Sequence, residues 1–113
     1  MKIPEEGTLL RIFIGEADKW QGKPLHSAIV EAARKRGMAG ATATKGMLGF
    51  GRKSRMHAAN ILRLSEDLPV IIELVDSAEK INAFLPELDG MVADGLVTME
   101  PVRVVLYRSD TAK

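Results

Sequence analysis

Apolar and polar positions alternate with a period of two over Thr8–Gly15 (TLLRIFIG). Leu10, Ile12 and Ile14 share one face, and Leu9, Arg11 and Phe13 share the other. This predicts a strand. After the polar loop Glu16–Pro24, the period lengthens. Leu25, Ala28, Ile29, Ala32 and Ala33 recur at helical spacing, in a helix that Pro24 can open and Gly37 can end. Ala41–Leu48 predicts a second strand. Val70–Val75, β-branched and nearly all apolar, predicts a central one. Asp76 or Ser77 can cap a second helix whose buried stripe is Ile81, Phe84, Leu85, Leu88 and Val92. Pro86 is expected to kink or restart that helix, and Gly95 to end it. Val102–Tyr107 predicts the last strand, followed by a tail at 108–113. The stretch Gly49–Leu68 reads as a long loop, within which Met56–Leu62 fits a short helix or a hairpin arm.

The order β-α-β-loop-β-α-β is the split pattern of ferredoxin-like α+β folds, a four-stranded antiparallel sheet with both helices on one face. One domain over residues 1–113 is expected at this length, hiding roughly two-thirds of the unfolded chain's surface. Helices cannot cover the second sheet face, where Leu9 and Phe13 fall, so self-association is the expected covering.

Composition removes several classes. Cysteine is absent, which excludes disulfide scaffolds, thiolate metal sites and cysteine nucleophiles. The opening MKIPEEG contains no apolar core of a secretory leader, so the expected compartment is the cytoplasm. No run approaches the roughly 18 apolar residues of a membrane helix. The net charge of +1 conceals an asymmetry: residues 1–56 hold eleven Lys or Arg against five Asp or Glu, and residues 57–113 hold five against ten. A basic first half suggests an anion-seeking surface, or faces that meet between subunits. Arg34, Lys35 and Arg36 are better read as complementing a helix C-terminus. Nucleic acid is disfavoured as a partner by the 4% aromatic content and a pI near 8.1.

Gly46-Met-Leu-Gly49-Phe-Gly51-Arg-Lys-Ser-Arg55 is the most informative stretch. Glycines at 46, 49 and 51 let backbone N–H groups approach a ligand, and Arg52, Lys53 and Arg55 would neutralise phosphate charge. The ordinary alternative is a surface loop between strands. Trp20, alone in a polar loop, can cap the end of the sheet or stack on a base. Arg103 shares a face with Tyr107 if both lie on the last strand; it could bind phosphate, or pair across strands with Glu73. His26 and His57 are the only histidines and lack metal-ligand spacing. Glu66-Asp67 reads as turn chemistry before Pro69. No nucleophile and base stand in a recognisable arrangement, so catalysis is not expected.

The segments LLRIFIGEADKWQGKPL, GATATKGMLGFG, RLSEDLPVIIELVD and INAFLPELDGMV resemble an uncharacterised branch of the PII-like signalling proteins, with D-K-W-x-G-K-P at 18–24, G-x-x-G-F-G at 46–51 and S-E-D-L-P at 65–69 carrying the match. The resemblance spans Leu9 to Tyr107. It implies a homotrimer with sheets packed inward, an adenine nucleotide in clefts between subunits, and a long loop that docks on a partner such as a membrane transporter or enzyme. By the same resemblance, Gly46–Arg55 starts that loop and Arg103 flanks the cleft. No tyrosine lies between 46 and 68, so uridylylation-type control is not implied. A second possibility is a divalent-metal-binding trimer resembling copper-tolerance proteins of this fold, using His57 or His26.

Overall fold

A computed structural model describes residues 5–51 and 67–109. The elements are β1 (Glu6–Gly15), the two-residue strands β2 (Lys19–Trp20) and β3 (Lys23–Pro24), α1 (Leu25–Lys35), β4 (Thr42–Lys45), β5 (Pro69–Asp76), α2 (Ala78–Asp89) and β6 (Leu96–Arg103). Four strands form one antiparallel sheet in the order β4-β5-β1-β6, the ferredoxin-like arrangement. Most of Gly49–Leu68, with its proposed arm Met56–Leu62, lies outside the described residues.

The alternation of β1 and β5 is realised in the core. Leu10, Ile12 and Ile14 meet Val70, Ile72 and Leu74 beneath Leu25, Ala28, Ile29, Ala32 and Ala33 of α1 and Ile81, Phe84 and Leu88 of α2. Ser77 Oγ accepts the Lys80 N–H at 3.2 Å and caps α2. Arg36, at the C-terminal cap of α1, donates to Glu87 at 2.6 Å, and its guanidinium lies 5.9 Å from the Phe84 ring, tying the two helices together.

Four boundaries differ from the sequence expectation. The loop Glu16–Pro24 contains a hairpin, β2 against β3, turned by Gln21 (φ 50) and Gly22 (φ 79); positive φ at both central residues suits the twist of a two-residue hairpin. β4 stops at Lys45 instead of Leu48, because Pro69 opposite has no N–H to extend the ladder and the chain turns around it. α2 runs through Pro86 and ends at Asp89, capped by Gly90 instead of Gly95; the anchoring of Leu88 and Met91 in the core outweighs one lost helix bond. The last strand is Leu96–Arg103 rather than Val102–Tyr107, paired with β1 from Phe13↔Leu96 to Glu6↔Arg103. Its polar residues and Pro101 hid it, and an edge strand tolerates both. Gly95 serves the start of this strand: a Cβ there would stand 2.6 Å from the Phe13 carbonyl oxygen.

α1 packs on β4 and β5, and α2 on β1 and β5. β6 lies beyond this layer, and every residue in it except Val102 is exposed. On the face away from the helices, Leu9, Phe13, Ile71 and Val75 are half-buried around an ion cluster. There Arg11 donates to Glu73 at 2.7 Å and to Glu100 at 3.3 Å. The Glu73 bond, aided by both carboxylate charges and opposed by partial burial, holds the Arg11 proton more tightly than usual.

Candidate functional site

The segments 18–24, 46–51 and 65–69, far apart in sequence, converge at one end of the sheet as far as they are described. The Asp18 carboxylate accepts the Gly15 N–H at 2.9 Å, and the Asp18 carbonyl accepts the Leu25 N–H at 2.8 Å, fixing the hairpin between β1 and α1. Asp67 Oδ1 accepts the Ala17 N–H at 3.2 Å, and the Glu16 N–H donates to the Leu68 carbonyl at 2.8 Å. Lys45 Nζ reaches Glu16 Oε2 at 3.1 Å, and the Gly46 N–H donates to the Pro69 carbonyl at 2.7 Å. Gly46 and Gly49 both pass so close to Pro69 that a Cβ on either would sit 2.9 and 3.0 Å from its Cγ. Glycine is needed here for close approach, and the base of the loop is thereby clasped to β5. Beyond the clasp, Met47, Leu48 and Phe50 are 91%, 65% and 69% exposed.

Of the residues singled out from sequence, Gly46, Gly49 and Gly51 belong to this end, and Arg52, Lys53 and Arg55 lie outside the described residues. Trp20 is half-buried and packs against the core. Glu16, Asp18 and Asp67 were not among the candidate site residues; Asp67, expected in turn chemistry before Pro69, accepts instead from Ala17, distant in the chain. Glu16 and Asp67 bond to groups distant in the chain, for which a sequence carries no local sign, whereas the Asp18 bond to Gly15 is local.

Arg103 stands at the opposite end. β6 runs antiparallel to β1 and β4 runs parallel to it, so the C-terminal ends of β4 and β6 are separated by roughly 30 Å along β1. Arg103 does not pair with Glu73, which Arg11 occupies. It reaches Glu5 at 3.2 Å with both side chains well exposed. Tyr107 lies past the strand and shares no strand face with Arg103; its hydroxyl donates to the Ala39 carbonyl at 3.3 Å. The segment 104–107 straps the end of the sheet, with the Val104 N–H donating to the Glu5 carbonyl at 2.6 Å. Beneath it opens a groove of about 730 Å³ lined by Leu9, Thr42, Glu73, Val75 and Val104 among others. Asp76, 1% exposed, secures the groove's far wall by accepting N–H groups from Ala39 at 2.8 Å and Ser77 at 2.7 Å.

Among the described residues no three histidine or carboxylate groups are placed to hold a metal ion. His26 has Ser27 Oγ 3.4 Å from its Nδ1, and His57 lies outside the described residues. No described helix is long and apolar enough to cross a membrane.

The sheet order, the two helices on one face and the loop base between β4 and β5 define a PII-like fold. Solved structures agree: the chain is similar to a protein from Thermus thermophilus assigned as a PII-like signaling protein (19% identity, TM-score 0.62, 88% of this chain and 90% of that one). It is similar also to CPII, a nitrogen regulatory PII-like protein from Thiomonas intermedia bound to ADP, AMP and bicarbonate (16% identity, TM-score 0.57, 88% of each chain). At these identities the likeness is one of fold.

Residues 7–104 match the DUF190 family, described as an uncharacterized ACR, and the chain belongs to that family. A UPF0166 protein from Aquifex aeolicus is 38% identical over 97 residues, covering 86% of this chain and 91% of that protein. Another from Methanocaldococcus jannaschii is 36% identical over 104 residues, covering 91% and 94%.

Proposed function

We propose that this chain is a cytoplasmic PII-like regulatory protein that binds a small anionic ligand, an adenine nucleotide, in clefts between the subunits of a homotrimer. The observation that carries the reading is the separation of the two phosphate-binding candidates. Gly46, Gly49 and Gly51 sit at one end of the sheet and Arg103 at the other, so a single ligand can meet both only where two chains adjoin. The uncovered sheet face and the exposed β6 supply the surface for that contact. A head-to-tail contact of this kind closes into a ring when the rotation between successive copies completes a whole turn. Arg52, Lys53 and Arg55 then follow the loop base as phosphate partners, as sequence places them. Ligand binding orders the loop for docking on a transporter or enzyme. The ADP and AMP carried by the Thiomonas neighbour support the choice of ligand.

The test is calorimetry with ATP, ADP and AMP on protein whose mass in solution has been measured by light scattering. A trimer that binds one of them supports the reading. A monomer, or a trimer indifferent to all three, defeats it.

A further inference from the structure

The reading above assigns glycines and cations to the phosphates but leaves the nucleobase without a contact. All five aromatic side chains of the chain lie among the described residues, so they can be compared one by one. Phe84 is fully buried in the core. Phe13 is half-buried on the open sheet face, beside the Arg11 cluster. Trp20 packs against the core, and Tyr107 is bonded to Ala39 at the far end of the sheet. Phe50 alone combines high exposure, 69%, with a place at the end where the three motifs meet.

Two features suit this ring to receive a flat partner. Gly49 and Gly51 flank it, so neither neighbour in the chain has a side chain to shield its faces. The clasp of Gly46 and Gly49 on Pro69 fixes the backbone that carries it to β5. An exposed phenyl on an anchored base gains by covering apolar area in water, and a nucleobase offers a planar surface of matching size.

We propose that Phe50 is the stacking platform for the base of the bound nucleotide, an inference that rests on the adenine-nucleotide reading. A phenyl ring has no hydrogen-bonding atom, so it responds to the area of the base and not to its polar edge. Purine nucleotides therefore bind more tightly than pyrimidine ones of equal charge, and this residue does little to separate adenine from guanine.

The test is calorimetry of ADP, CDP and inorganic pyrophosphate with the wild-type chain, F50A and F50W. The expected result is that F50A weakens ADP binding about tenfold or more. It narrows the preference for ADP over CDP and leaves pyrophosphate binding unchanged. F50W should retain ADP affinity, and the added indole should lose fluorescence on ADP binding while Trp20 does not respond. F50A that binds ADP within about twofold of wild type overturns the stacking role and leaves the nucleotide reading intact. Equal loss of ADP and pyrophosphate overturns it too, since the effect would then lie with the phosphates. A wild-type chain that binds no adenine nucleotide overturns both proposals together. Unchanged thermal unfolding of F50A, expected for so exposed a side chain, confirms that the comparison is between folded proteins.

Discussion

The two ends of the sheet are built in opposite ways. At the loop-base end, hydrogen bonds from Gly15, Glu16, Ala17, Leu25 and Gly46 join the hairpin, β5 and the start of the long loop within one chain. At the strap end, residues 104–107 present Val105 and Leu106 at 90% and 65% exposure, and among the described residues the Arg103 side chain is held by one exposed ion pair. The first region is closed by bonds within one chain, with Met47, Leu48 and Phe50 exposed beyond them. The second has apolar surface to cover and cations to use, which is how a surface looks when a further chain finishes it.

The largest expected effect tests that contrast directly. V105E together with L106E places charge on the exposed apolar strap and should take the proposed trimer to monomer, read as the mass in light scattering, while the secondary structure by circular dichroism persists. A trimer that survives both changes would show that the strap end is not an interface. Next in size is Asp76→Ala, which leaves the N–H groups of Ala39 and Ser77 without acceptors. A loss of about 2–3 kcal/mol is expected in urea unfolding. Gly95→Ala drives a methyl into the Phe13 carbonyl and should cost about 1–3 kcal/mol. Smallest in stability is Arg103→Ala. Its pair with Glu5 is exposed, so stability should move by less than about 0.5 kcal/mol, whereas nucleotide affinity should fall by about tenfold or more. Unchanged affinity would remove Arg103 from the cleft.

The same contrast explains what could be read in the sequence. β1, β5 and α1 were legible because each buries one continuous face, and burial imposes a period of two or 3.6 on residue choice. β6 was displaced by six residues at its start because an edge strand outside the helix layer buries almost nothing, so LVTMEPVR carries no alternation to find. The long reach of α2 past Pro86 was likewise decided by Leu88 and Met91 in the core and not by local propensity. Within the site, the glycines at 46, 49 and 51 were read as bringing backbone N–H groups to a ligand; the close approach seen at Gly46 and Gly49 is to Pro69 of the same chain. The pins Glu16 and Asp67 were illegible, because each bonds to a group distant in the chain that only the fold brings near, while the Asp18 bond to Gly15 is local. Arg103 was placed on the right strand, but its distance from the glycines depends on strand direction, which follows from topology alone.

The ion cluster on the open sheet face has a consequence for solution conditions. One guanidinium, Arg11, serves two carboxylates, Glu73 and Glu100, so each copy brings an excess negative charge to the centre of that face. Joining such faces brings like charges together, and dissolved ions with a screening length of about 8 Å at physiological ionic strength relieve the repulsion. Subunit association should therefore tighten as salt is raised, the reverse of what a contact held by opposite charges would show.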